Sequence, residues 1–259
     1  MPADDEYHWY RQVAGGLCPT GVAVSPHAES AQHGSAIAGL VARAAEQVES
    51  PVPMAIVRMT VDLTRRVPVG FTQVETNLRR AGRRVQVIDV VISIDGEPYS
   101  HSQVVRMRSG DVIDPGDLPD TSEQLVEDSA TALDEQPWGR SPFMRGIDPV
   151  FEVWEQSNGR YWVTMDDQLI DGEPMSPFVR AAAAADVSLS GGRLAPDYLS
   201  TNADLHIAFH RPPTGTRFRI DSEIQVNPGG WGSSVSTLSD RQGRVASLTK
   251  SILYMGRGS

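Results

Sequence analysis

Residues 60–70 read Thr-Val-Asp-Leu-Thr-Arg-Arg-Val-Pro-Val-Gly, and residues 205–215 read Leu-His-Ile-Ala-Phe-His-Arg-Pro-Pro-Thr-Gly. Both run from an alternating segment into an arginine, a proline two residues on and a glycine two further. Arg66, Pro68 and Gly70 fall on Arg211, Pro213 and Gly215 at an offset of 145, and Asp95-Gly96 falls on Gln242-Gly243 at an offset of 147. A slip of two residues is an ordinary hairpin insertion. An alanine-rich segment precedes each motif and two more strand-like segments follow it, so residues 35–108 and 176–255 carry the same pattern. In a chain of 259 residues this repeat predicts two similar units, each long enough to bury a core. The boundaries read as a first unit over 1–110, a linker over 111–140 and a second unit over 141–259.

Periodicity supplies the elements. Val57, Met59, Val61 and Leu63 alternate with polar residues, the period of a strand with one buried face. Leu205, Ile207 and Phe209 repeat it. Further strands are predicted at 72–80, 84–94 and 99–108, then at 218–226, 233–239 and 244–255, with shorter ones at 7–13, 21–25, 150–155 and 160–165. Asp95-Gly96 is a tight-hairpin dipeptide. Ser35 is the expected cap of a helix burying Ile37, Leu40, Val41, Ala44 and Val48. Ser176-Pro177 opens a second helix through five successive alanines to Asp186. A helix wrapped by an antiparallel sheet, twice over, is an α+β architecture.

Composition limits the function. A net charge of −10 argues against nucleic acid as a partner. No apolar run approaches the roughly 18 residues of a membrane span, and the acidic start Met1-Pro-Ala-Asp-Asp-Glu is unlike a secretory signal. A cytoplasmic location is expected. Nine acidic residues and no Lys or Arg lie between Asp111 and Pro137, the composition of a solvated linker. Arginines gather instead at Arg65-Arg66 and around Arg79, Arg80, Arg83 and Arg84, where phosphates could be held. Cys18 is the one cysteine, with no ligand set around it. His206 and His210 lack a third ligand type nearby, which argues against a metal. There is no Gly-x-Ser-x-Gly elbow, P-loop or His-Glu-x-x-His. An Asp and His pairing before and within a helix, as hydratases use, is not visible either.

The residues also carry a resemblance. Leu169-Ile-Asp-Gly-Glu-Pro-Met-Ser-Pro177, Ala183-Ala-Ala-Asp186, Thr201-Asn-Ala-Asp-Leu205, His210-Arg-Pro-Pro213 and Gly243-Arg-Val-Ala246, in that order and spacing, are similar to acyl-CoA thioesterase-like proteins of the type II superfamily. Arg80-Ala-Gly-Arg-Arg84 resembles that family's Arg-x-Gly-Arg/Lys turn. The resemblance implies a double hot-dog fold and hydrolysis of an acyl-CoA thioester, with CoA as part of the substrate and no separate cofactor. It assigns the catalytic carboxylate to Asp186 and a hydroxyl or amide partner to Asn202. Where the family has a Gln on the last strand this chain has Lys250, an ammonium that can only donate hydrogen bonds. Lys250 would either stabilise a developing oxyanion or neutralise Asp186, leaving a protein that binds acyl ligands without hydrolysing them. Arg80, Arg83 and Arg84 would meet the CoA phosphates.

The repeat raises an alternative site in the first unit. At the offset of 147, Lys250 falls on Gln103, whose strand parity matches apolar Val105 and Met107. Gln103 would supply the missing amide, Glu46 the nearest helical carboxylate and Gly34 a backbone N–H at the start of the first helix. Glu46 is one position beyond the equivalent of Asp186, a rotation of ~100° around the helix. Two units in one chain already mimic a dimer, and exposed sheet edges would leave a route to a homo-oligomer.

Overall fold

The structure, a computed structural model, describes residues 8–25, 28–110, 152–157, 160–165, 168–187 and 198–256. The acidic segment 111–140 lies outside them. The first half runs β1 (His8–Val13), β2 (Gly16–Pro19), a 3-10 turn (Gly21–Ala23), β3 (Val24–Ser25), β4 (Ala28–Gln32), α1 (Gly34–Gln47), β5 (Met54–Asp62), β6 (Thr72–Ala81), β7 (Val85–Ile94) and β8 (Glu97–Arg108). The second runs β9 (Glu152–Ser157), β10 (Arg160–Thr164), β11 (Gln168–Ile170), α2 (Pro177–Asp186), β12 (Tyr198–Asn202), β13 (Asp204–Phe209), β14 (Arg217–Val226), β15 (Trp231–Asp240) and β16 (Gly243–Gly256).

The long predicted strands are present to within two residues at each end. The short early segments differ: the expected strand at 21–25 is a 3-10 turn followed by a two-residue strand, while β2, β4, β11 and β12 had no expectation. These are brief and lack an alternating pattern, so periodicity is blind to them.

One 14-stranded sheet joins both halves in the order β11-β1-β2-β6-β7-β8-β5-β13-β16-β15-β14-β10-β9, with β12 beside β16. Its pairings are antiparallel except β1 with β11. Outward from the β5–β13 junction the halves run alike, β5-β8-β7-β6 in the first and β13-β16-β15-β14 in the second, with β12 off this path in the second. At the junction Thr60 pairs with His206 and Met59 with Ile207. On the outer face Thr60 Oγ1 and His206 Nδ1 lie 3.1 Å apart.

Each half closes its second hairpin with an arginine, Arg65 beside the motif's Arg66 in the first half and the motif's Arg211 in the second. Asp95 and Gly96 adopt φ of 51° and 85°, a primed turn matched to the strand twist, and Arg65 Nη1 donates to Pro98 O at 2.8 Å. In the second half Arg211 pairs with buried Asp240 and donates to Gly243 O at 2.9 Å.

Both helices are buried nearly all round and pack antiparallel against one another. Alanines 181–185 are each 0% exposed; they favour helix and add little girth. The expected cap is corrected at α1: the helix begins at Gly34, and it is the His33 ring that accepts the Ser35 N–H at 3.0 Å. At α2, Ser176 Oγ accepts the Val179 N–H at 3.1 Å with proline at the first position, as the sequence implies. Gly39 permits the close crossing, since a Cβ there would lie 3.1 Å from Leu169 Cδ1 and 3.7 Å from Ala183 Cβ. The two helix C-termini are capped by cations from the last strand of each half. Arg106 Nη1 donates to Ala45 O at 2.8 Å, and Lys250 Nζ donates to Asp186 O at 2.6 Å.

Candidate active site

The antiparallel crossing brings the end of α2 to the beginning of α1. Asp186 is the last residue of α2, and its side chain is only 7% exposed. Asn202, at the end of β12, donates from Nδ2 to Asp186 Oδ1 at 3.2 Å. Lys250 rises from the core face of β16, its Nζ 3.3 Å from the same Oδ1. The other carboxylate oxygen faces the first half of the chain. A Cβ on Gly34 would lie 2.5 Å from Asp186 Oδ2, so only glycine admits the carboxylate so near the helix start. The three residues carried over from the resemblance, Asp186, Asn202 and Lys250, therefore meet, and Gly34 meets them too.

Electrostatics keep Asp186 ionised. Burial alone would raise its pKa, but the Lys250 ammonium, His33 when protonated and hydrogen bonds from Lys250 and Asn202 together hold it below its ordinary value. Lys250 shows the opposing effects: burial lowers its pKa, and the charge of Asp186 restores part of the loss. In the first turn of α1, His33 takes up the N–H groups of Ser35, Ala36 and Ile37. The Gly34 N–H has no acceptor among the described residues, leaving a donor at the positive end of a helix beside Oδ2.

His33 was missed as a neighbour of the carboxylate. Its Nδ1 lies 3.9 Å from Asp186 Oδ2, so an Asp and His do come together across 153 residues of sequence. That nitrogen accepts the Ser35 N–H, so in the neutral ring the proton is assigned to Nε2 and Nδ1 has none to pass to Asp186. The pair is not an acid–base dyad of the hydratase kind.

The alternative first-half site is not assembled. Gln103 is corrected to the outer face of the sheet, where it bonds Asp89 at 3.3 Å and Arg58 at 3.1 Å. The core face of β8 carries Ser100, Ser102, Val104 and Arg106. Glu46 lies at the far end of the helix pair and accepts the Ser176 hydroxyl at 2.5 Å. Burial pushes its carboxyl up, with Ser176 and Arg106 pulling the other way. A cavity of about 70 Å³ opens there, lined by Arg43, Glu46, Leu169, Glu173 and Ser176 among others.

The arginines separate by end. Arg80, Arg83 and Arg84 are exposed at the β6–β7 turn. Arg84 O accepts from Arg108, and Arg106 caps the C-terminus of α1, so this turn stands at the Glu46 end, about 20 Å of helix from Asp186. Arg65 and Arg66 stand at the Asp186 end. Leu63 N–H bonds Ala203 O, next to Asn202, and Gln32 N–H bonds Val67 O, next to His33. Among the described residues no carboxylate pairs with Arg66. No group of three His, Cys, Asp or Glu side chains among them could hold a metal, and no helix among them is long and apolar enough to cross a membrane.

Comparison with known proteins agrees with this fold. The tesB protein of Mycobacterium avium subs paratuberculosis superposes with a TM-score of 0.65 at 14% identity over 95% of each chain. Acyl-CoA thioesterase II TesB2 of Mycobacterium marinum gives 0.62 at 15% identity over 88% of this chain and 91% of that one. A hot dog fold protein of Alicyclobacillus acidocaldarius gives 0.67 at 13% identity over 95% of each. At such identities these likenesses show the hot-dog fold. No curated protein matches in sequence. Two family profiles do: the acyl-CoA thioesterase N-terminal domain over residues 24–108 and the acyl-CoA thioesterase C-terminal domain over residues 115–254. Covered by the second profile over more than half its length, the chain belongs to the acyl-CoA thioesterase family.

Proposed function

We propose that the chain is a tandem double hot-dog enzyme that hydrolyses acyl-CoA thioesters to the free acid and CoA at the Asp186 seam. The observation that carries this reading is the deeply buried yet ionised carboxylate whose Oδ2 faces an open helix N-terminus. Water donates a proton to Asp186 as its oxygen bonds to the thioester carbon. The carbonyl oxygen becomes an oxyanion, which the Gly34 N–H can receive. Collapse breaks the C–S bond, and the departing thiolate takes the proton held by Asp186. Asn202 fixes Oδ1 through its NH2 and keeps its amide oxygen for the water. Lys250 keeps the carboxylate charged where the resemblance expects a Gln. Arg65 and Arg66, on the rim of this end, are better placed for the CoA phosphates than Arg80, Arg83 and Arg84.

A second reading, an acyl-CoA binding protein without hydrolysis, draws on one observation: Lys250 holds both the Oδ1 and the main-chain carbonyl of Asp186. Release of CoA from a panel of acyl-CoAs, measured beside binding, separates the two. Hydrolysis predicts release that falls at least about 100-fold in Asp186→Ala. Retained binding with no release from any ester would establish the second reading, and a gain in Lys250→Gln would show that Lys250 silences the site.

A further inference from the structure

Among the described residues, two hydroxyls at this seam have no partner. Ser35 is 0% exposed and its Oγ makes no hydrogen bond; Ser234 is 1% exposed and its Oγ makes none either. Buried hydroxyls are nearly always paired, so an orphan implies an occupant that the protein alone does not supply.

Position says what that occupant is. At 100° per residue Ser35, Gly39, Ala42 and Glu46 fall within about 60° of one another on α1. This stripe faces α2: Gly39 packs by Ala183, and Glu46 bonds Ser176. The helices run antiparallel, so the next place along the stripe, Ser35, lies opposite the Asp186 end. Ser234 approaches from the sheet, where it is the cross-strand partner of Lys250 on the same buried face. An unpartnered hydroxyl thus stands on either side of the ion pair.

We propose that Ser35 is a further catalytic residue, donating its hydroxyl hydrogen to the water that attacks the thioester. The proposal rests on the thioesterase reading above. That water has two hydrogens and two lone pairs to place. Asp186 Oδ2 takes one hydrogen, the Asn202 amide oxygen takes the other, and the Ser35 O–H holds one lone pair. The remaining lone pair is left to point at the carbonyl carbon. Lys250 directs two of its three N–H groups to Oδ1 and the Asp186 carbonyl, so its ammonium serves the carboxylate. Bond making and breaking are unchanged: Ser35 keeps its proton, and Asp186 carries the one in transit.

The test uses the full chain with Ser35→Ala and Ser35→Cys, the second keeping the shape while weakening the donor. Both are expected to lower kcat for CoA release about 10- to 100-fold, with KM within about twofold. Ser35→Ala should also raise Tm by a few degrees, because it removes a buried hydroxyl that has no partner in the unliganded protein. Wild-type release with an unchanged kcat in Ser35→Ala would overturn this proposal alone. A fall in Tm would also overturn it, since the hydroxyl would then have a structural partner. Absence of release from the wild type would overturn the thioesterase reading and this proposal with it.

Discussion

A carboxyl group as deeply buried as that of Asp186 would, with no cation beside it, lie above its ordinary pKa and hold its proton toward neutrality. Lys250 reverses this, and the lowered pKa of Asp186 follows from burial being outweighed by the ammonium and by donated hydrogen bonds. The sign for stability is that of a depressed acid: the contribution is present above the unfolded pKa and is lost as pH falls through the lower folded value. The same ionisation governs the proposed chemistry. Wild-type kcat/KM should therefore stay level from neutrality down to about pH 5. In Lys250→Gln burial dominates and the acid limb should move up into that interval, as a pH–rate profile of CoA release would record. An acid limb that does not move would mean that Asn202 and the helix start suffice to hold the charge. Asp186, Asn202 and Lys250 could be named from sequence because the family resemblance marks a position on the second helix, on the strand after it and on the last strand. The approach of His33 to Asp186 could not be read the same way. It depends on where two helices cross, which no local pattern records.

Strand parity explains the error at Gln103. Val105 and Met107 suggested an inward face for its set, yet the inward residues of β8 are Ser100, Ser102, Val104 and Arg106. They are tolerated there because most of their polar atoms are satisfied, the Arg106 Nε excepted. Ser100 Oγ bonds Asp62 O at 2.8 Å, and Arg106 bonds two carbonyls of the α1 terminus and Gln86 Oε1. A core face built partly of polar groups defeats a hydrophobicity count, whereas β7 turns Ile88, Val90, Ile92 and Ile94 inward with one polar residue, Gln86, among them. Removing the arginine tests its structural role. Arg106→Met strands buried acceptors that Arg106 now satisfies, and should cost about 3 kcal/mol or more in urea unfolding. CoA release per folded molecule should be unchanged, because Arg106 serves the end remote from Asp186. A loss smaller than about 1 kcal/mol would mean that water replaces the guanidinium.

The described residues form a large sheet, a small β3–β4 pair and two helices, and the candidate site draws on both halves. Asp186, Asn202 and Lys250 come from the second, while His33, Gly34 and Ser35 come from the first. Neither half alone contains the arrangement. Cutting the chain within 111–140 and producing the two pieces together should give a complex that releases CoA, because the β5–β13 pairing and the helix crossing remain. Either piece alone should be inactive. Copurification and CoA release from mixed and single pieces would check this, and an active second piece by itself would remove the first half from the site. The helix crossing has one more consequence. Its two ends, Gly34 by Asp186 and Ser176 by Glu46, are encoded by separate codons. In an assembly of two identical chains every mutation at such a crossing would land at both ends together. Here inheritance can keep a reactive carboxylate at one end while the other drifts.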